Sequence, residues 1–254
     1  MKRIGKIILA CLILCSFIPP DKQIKVWLIG DSTIADKEIK AYPETGWGMP
    51  FRYFFDSTVV VENMAKNGRS TKSFIAEGLW QSVVDQIKEG DYVLIQFGHN
   101  DEVKTKVGRY TTPDEFKANL IKYISDARSK KGIPVLITPV ARRSFDANGK
   151  VEESHPVYSD LVREVSKTSK APLIDLDQKS MELLQEFGPD HSKWLYDYLE
   201  PDEHPNYPEG RKDDTHFSEF GARKMAEIVL SEIKNMHLGL ADHIKGPFIA
   251  RKKN

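Results

Sequence analysis

Five short segments of this 254-residue chain concentrate residue types that can do chemistry. They are Gly30-Asp31-Ser32-Thr33, Asn67-Gly68-Arg69-Ser70, Gly98-His99-Asn100-Asp101, Ala141-Arg142-Arg143 and Asp213-Asp214-Thr215-His216. A serine hydroxyl is a poor nucleophile at neutral pH and needs an adjacent base. An imidazole can take that proton and later return it to a leaving alcohol. The spacing Asp213-x-x-His216 places a carboxylate and an imidazole on one side of a turn. Each piece alone also has an ordinary reading. Ser32 can cap the turn after a strand, Gly68 can be a turn glycine, and Asn100 can close an Asx-turn. Asp213 can be a solvated loop acid, and His216 a helix-entry residue.

The elements that must position these groups alternate between β and α. Residues 24–29 (IKVWLI), 58–61 (TVVV), 91–97 (DYVLIQF), 133–138 (IPVLIT) and 171–176 (APLIDL) are apolar runs. Continuous rather than alternating apolar strands suit a parallel sheet covered on both faces. Thr112-Pro113-Asp114-Glu115 reads as a helix start, with Thr as cap, Pro in the first turn and Glu closing a capping box. Phe116, Leu120, Tyr123, Ile124 and Ala127 then form one buried stripe. Val157, Tyr158, Leu161, Val162 and Val165 repeat it. A last helix is predicted over 218–234, with Phe220, Met225, Ile228, Val229 and Ile233 inward. The Pro-rich segment 200–214 is expected to be a long polar loop. This pattern predicts an α/β fold of three layers, α/β/α, around a five-stranded parallel sheet. Ligands of such sheets bind beyond the carboxyl ends of the strands. The first four segments each follow a predicted strand, and the fifth opens the last helix, so all five converge on one rim.

The N-terminus is different in kind. Met1-Lys2-Arg3 and Lys6 precede an apolar run from Ile7 to Ile18, which Pro19-Pro20 ends. That is the layout of a secretory signal peptide, and the run is shorter than the ~20 apolar residues of a membrane span. The expected organisation is a signal peptide over 1–20 and one domain over 21–254, in a secreted or periplasmic protein. Both cysteines, Cys11 and Cys15, lie in the leader, so the mature protein would have no disulfide. Lipid attachment at Cys15 is disfavoured by Leu14 before it. Lys+Arg and Asp+Glu number 37 each, which argues against a nucleic-acid partner.

Taken together, GDST, NGRS, GHND and DDTH, in this order across roughly residues 24–234, resemble the four blocks of SGNH (GDSL-like) hydrolases. The resemblance implies a flavodoxin-like hydrolase fold and a serine esterase that needs no metal or other cofactor. Ser32 would be the nucleophile, His216 the base and Asp213 its orienting carboxylate, because i to i+3 fits the family's D-x-x-H and Asp214 at i+2 does not. The Ser32 and Gly68 backbone N–H groups and the Asn100 amide would form the oxyanion hole. Finer features, Gly46-Trp47-Gly48, Gln96-Phe97-Gly98-His99-Asn100-Asp101 and Glu203-His204-Pro205-Asn206-Tyr207-Pro208, look like rhamnogalacturonan acetylesterases. The implied partner is an acetylated polysaccharide or oligosaccharide such as pectic rhamnogalacturonan, with other acylated carbohydrates, small esters or thioesters as alternatives. Trp47, His99, Arg142 and Arg143 are the candidate substrate contacts, the arginines for a uronate carboxylate. Two rival readings remain. One is a metal-dependent hydrolase using ligands among His99, Asp101, His191, His204, Asp213, Asp214 and His216. The other is a non-catalytic polysaccharide-binding module with a groove at Tyr42 and Trp47. The absence of an H-E-x-x-H or paired Cys/His spacing weighs against the first.

Overall fold

The computed structural model describes residues 23–246, so the leader expected over 1–20, with Cys11 and Cys15, lies outside the described residues. All five predicted strands form: β1 (Ile24–Gly30), β2 (Val59–Asn63), β3 (Tyr92–Gln96), β4 (Ile133–Ile137) and β5 (Leu173–Ile174). They pair in parallel in the order β2-β1-β3-β4-β5. The helices are α1 (Gly48–Phe51), α2 (Thr71–Ala76), α3 (Leu79–Val84), α4 (Pro113–Ser129), α5 (Pro156–Ser169), α6 (Leu176–His191) and α7 (Glu219–Asn235).

Strand alternation sends side chains to two cores. Val26 and Leu28 of β1 join Phe51, Leu184, Met225 and Val229 under α1, α6 and α7. Trp27 and Ile29 join Phe74, Trp80, Phe116, Tyr123 and Val162 under α2 to α5. β3 is buried at every position because it lies in the middle of the sheet with helices on both faces. The start of α4 is the expected capping box. Glu115 N–H donates to Thr112 Oγ1 at 3.3 Å, and Thr112 N–H donates to Glu115 Oε2 at 2.8 Å.

Three expectations need correction. Val157 and Phe220 are exposed rather than inward, each on the solvent side of its helix's first turn. The segment 200–214 is not all loop. Its end is strand β7 (Arg211–Phe217), which pairs antiparallel with β6 (Tyr196–Leu199). Polar side chains hid this strand, since its stabilising contacts are ion pairs rather than an apolar face. Among the described residues no helix is long and apolar enough to cross a membrane.

Topology places the site. The chain leaves β1 for β2 on one side, then crosses to β3 on the other. The loops after β1 and β3 therefore diverge and leave a crevice between them, the switch point where ligands of open sheets bind. The floor of this crevice is the turn after β1, backed by the segment entering α1. Trp47 N–H donates to Thr33 O at 2.9 Å, and Gly48 N–H to Ile34 O at 3.2 Å. Gly46 fits there only without a side chain, since a Cβ would fall 2.2 Å from Ala35 O. Backbone on both sides leaves little room to yield. Gly46→Ala should therefore cost about 1–3 kcal/mol, read as a lower midpoint in chemical denaturation. An unchanged midpoint would show that this segment shifts freely.

Candidate active site

The nucleophile turn is built by its own aspartate. Asp31 Oδ1 accepts from Thr33 N–H at 2.9 Å and from Thr33 Oγ1 at 2.8 Å, while Asp31 O accepts from Ile34 and Ala35 N–H. This leaves Ser32 at the tip, half-buried. Burial opposes ionisation of Asp31, but the adjacent His99 and the two Thr33 donors outweigh it and keep the carboxyl below its usual range. Thr33 Oγ1 also accepts from Gln96 Nε2 at 2.7 Å, and Gln96 Oε1 accepts from Trp47 Nε1 at 2.9 Å. Trp47, Gln96, Thr33 and Asp31 thus form one buried hydrogen-bonded chain behind Ser32.

Asp213 and His216, the expected acid–base pair, sit on a bulge in β7. Asp197 lies opposite Asp213, yet Tyr196 lies opposite Phe217, so Asp214, Thr215 and His216 have no partner across the hairpin. Asp213 Oδ1 closes the bulge by accepting from the Thr215 and His216 N–H groups at 2.8 and 2.9 Å. Asp213 Oδ2 lies 2.8 Å from His216 Nδ1, and His216 Nε2 lies 2.9 Å from Ser32 Oγ. Burial works against ionisation of Asp213. The His216 hydrogen bond and charge, with the Arg211 hydrogen bond, override it and hold the carboxyl far below the usual carboxylate range. An ionised carboxylate only accepts, so Nδ1 carries the proton and Nε2 is left to accept from the Ser32 hydroxyl.

Ion pairs tie the two halves together. Lys37, wholly buried at its side chain, donates to Ser32 O and to Asn67 Oδ1 at 2.5 and 3.0 Å, and pairs with Glu44 at 2.7 Å. Glu44 pairs with Arg211 at 2.8 Å, and Arg211 reaches both Asp213 at 2.8 Å and Asp197 at 3.0 Å. Sequence reading passed over Lys37, Glu44, Asp197 and Arg211. Charged residues are common, and nothing in their spacing marks them as buried together.

On the other side of Ser32, Arg69 N–H donates to Lys66 O at 3.2 Å and closes a turn with Gly68 at its third position. Gly68 has φ +75°, which favours glycine at that position. The turn reading and the oxyanion reading of Gly68 are thus compatible. Among the described residues, neither the Ser32 nor the Gly68 N–H has a protein acceptor. Asn100 Nδ2 donates one proton to Arg69 O at 3.0 Å, which orients the amide against this turn and leaves its second proton available. Asp101 pins the neighbouring loop. Its carboxylate accepts from Thr71 N–H, Thr71 Oγ1 and Thr111 Oγ1, and burial pushes its pKa up to about 7.

The candidate substrate contacts fare differently. Trp47 is completely buried and bonded to Gln96, so it supports the turn and cannot stack on a sugar. Arg143 is also structural. It bonds to Ser192, Tyr198, Asp214 and Pro189, clamping the hairpin to the end of α6. His99 is buried beside Asp31, with Nδ1 at 3.4 Å and its ring 4.2 Å from that of His155. Burial pushes the His99 pKa down to about 4, so this ring is neutral at neutral pH. Arg142 remains partly exposed, bonded to Thr215 beside His216 and paired with Glu102 at 3.3 Å. Tyr42 lines an open groove of about 610 Å³ that also involves Tyr53, Arg52 and His204.

The ligands of the metal reading are dispersed. His191 packs on Trp194, His204 on Tyr207, and Asp214 bonds to Arg143 and Tyr198. Among the described residues no group of three His, Cys, Asp or Glu side chains is arranged to hold a metal ion.

Two outcomes follow for catalysis. Asn100→Ala should lower kcat by ~two to three orders of magnitude, the usual loss for one oxyanion donor; near-normal turnover would exclude the role. The depressed pKa of Asp213 also fixes a sign. Its charged state contributes above the pKa of the unfolded chain, and is lost only as pH falls through the lower folded value. The acid limb of kcat/KM should therefore fall with the slope of one proton, Asp213 contributing none. A two-proton slope would contradict this.

The GDSL-like lipase/acylhydrolase family matches residues 28–224. The rhamnogalacturonan acetylesterase RhgT of Bacillus subtilis is 43% identical over 88% of this chain and 95% of its own. The probable rhamnogalacturonan acetylesterase YesY of the same organism is 35% identical over 86% and 96%. Among solved structures, the fold is similar to that of Bacillus subtilis YxiM, with TM-score 0.74 and 24% identity. That match covers 87% of this chain, which spans 58% of the YxiM chain. An acetylxylan esterase from Geobacillus stearothermophilus has TM-score 0.59 and 18% identity, over 83% of this chain and 94% of its own. The chain belongs to the GDSL-like lipase/acylhydrolase (SGNH) family.

Proposed function

We propose that this chain is a serine esterase that removes acetyl groups from rhamnogalacturonan outside the cytoplasm. The observation that carries the chemistry is the unbroken line from Ser32 Oγ to His216 Nε2 at 2.9 Å and from His216 Nδ1 to Asp213 at 2.8 Å. The substrate rests on the relatives RhgT and YesY, which cover nearly the whole domain. Export rests on the basic and then apolar character of residues 1–18.

The reaction follows from the atoms present. His216 Nε2 takes the Ser32 proton as Oγ attacks the acetyl carbonyl carbon. The carbonyl π-bond opens, and its oxygen becomes negative. The Ser32 and Gly68 N–H groups and the Asn100 amide would meet that charge. Collapse breaks the bond to the sugar oxygen, which leaves with the proton held on His216. Water then attacks the acetyl-serine, losing its proton to His216, and collapse breaks the bond to Ser32 Oγ, which takes that proton back as acetate departs. Asp213 keeps the ring in the correct tautomer throughout and stabilises its charged form.

Acetylated rhamnogalacturonan, incubated with the mature enzyme, should release acetate, and Ser32→Ala should release none. A long-chain ester should be a poor substrate. Equal release by Ser32→Ala would remove Ser32 from the mechanism. Hydrolysis of an aryl acetate without release from the polysaccharide would retain the esterase and discard the pectic substrate.

A further inference from the structure

Almost every arginine in the structure has a partner. Arg52, Arg69, Arg142, Arg143, Arg163, Arg211 and Arg223 meet carboxylates, and Arg128 meets the Ser169 carbonyl. Arg142 and Arg143, the arginines that the sequence offers for a uronate, are therefore already paired with Glu102 and Asp214. Among the described residues the exception is Arg109, whose guanidinium has no hydrogen-bond acceptor and no ion-pair partner.

Arg109 is not a solvated surface cation. It is half-buried, and it lies on the oxyanion turn. A Cβ built on Gly68 would be 2.9 Å from Arg109 Nη1, 3.1 Å from Cζ and 3.2 Å from Nη2. Near-equal distances to three atoms of a planar group mean that the guanidinium face covers the place a Gly68 Cβ would take. Glycine at this position thus admits the arginine as well as the turn.

The loop that carries Arg109 is held from both ends. Arg109 and Tyr110 N–H groups donate to Lys106 O, and Thr111 N–H donates to Asp101 O at 3.0 Å. Thr111 Oγ1 also bonds the buried Asp101 carboxylate, which follows Asn100 directly. The same anchor therefore sets Asn100, the Gly68 turn and Arg109 against one another.

A half-buried guanidinium that has lost water on one face, and has no counter-charge, is costly. A planar carboxylate would complete it, because the arginine fork matches carboxylate geometry bidentately. We propose that Arg109 is a specificity-determining residue that binds the carboxylate of an acidic sugar in the substrate chain, beside the ester held at the oxyanion turn. This rests on the rhamnogalacturonan reading, in which galacturonate units carry the carboxylate. It gives an enzyme of zero formal net charge a local means of selecting an anionic polymer.

The test compares acetylated rhamnogalacturonan oligosaccharides in free-acid and methyl-esterified forms. Both kcat and KM are measured for wild type, Arg109→Gln and Arg109→Lys. Wild type should prefer the free acid by about tenfold or more in kcat/KM, the scale of a charged hydrogen-bonded pair. Arg109→Gln should erase that preference, chiefly through KM, and Arg109→Lys should restore part of it. Retention of the preference in Arg109→Gln, with both forms slowed equally, would place Arg109 in the turn or the oxyanion hole and overturn the proposal. Equal use of both forms by wild type would also overturn it while leaving the rhamnogalacturonan reading intact. Wild type that cleaves an aryl acetate and neither oligosaccharide would sink both.

Discussion

The carboxylate of Asp213 stands between an imidazole and a guanidinium, and much of the site serves to make that position tenable. Arg211 neutralises Asp213 from behind, while Glu44 and Asp197 hold Arg211 in turn. Glu44 also pairs with Lys37, whose ammonium reaches the carbonyl of the nucleophile itself. A chain of charges therefore runs from one end of the triad to the other beneath it. Its two cations, Lys37 and Arg211, face three carboxylates, Glu44, Asp197 and Asp213. One further positive charge would balance the group, and the proposed transfer of the Ser32 proton to His216 would supply it. Burial raises the pKa of Asp197 to about 6, with Arg211 opposing. Buried charges of this kind are expensive to assemble. Their use here is geometric, since each partner limits where the next can go.

A second chain, neutral except at its end, does the same for the turn after β1. Trp47 bonds Gln96, Gln96 bonds Thr33, and Thr33 bonds Asp31. The first comes from the entry to α1, the second from the end of β3 and the last two from the turn itself. Three separated stretches of sequence are thus locked together behind one serine. This explains why glycine flanks Trp47: the segment must approach the turn at backbone distance. The tryptophan contributes stability and placement rather than a surface for sugar.

The crevice itself is a product of strand order. The chain passes from β1 to β2 and then across to β3, so the loops carrying Ser32 and Asn100 part from one another. The hairpin of β6 and β7 closes over this opening and brings the His216 bulge to within a hydrogen bond of Ser32. The Gly68 turn, with Arg109 on it, forms the other wall. The ester would thus be bounded by a base on one side and by hydrogen-bond donors and a cation on the other.

Local patterns in the sequence determined the parallel strands, the start of α4 and the five chemistry-bearing segments. Hydrophobic runs and capping residues act over a few positions, so the chain itself displays them. The blocks that hold Ser32, Asp213, His216, Gly68 and Asn100 were legible for a related reason, since their own residues build the turns there. The tertiary structure alone decided the rest. β7 was missed because ion pairs, not an apolar face, hold it. Trp47 and Arg143 were misplaced because a tryptophan or an arginine looks the same whether it meets substrate or another side chain. Lys37, Glu44, Asp197 and Arg211 come from three separate stretches of the chain, and Arg109 is distinguished only by what it does not touch. Whether a charge has a partner depends on distances between residues far apart in sequence, and folding sets those distances.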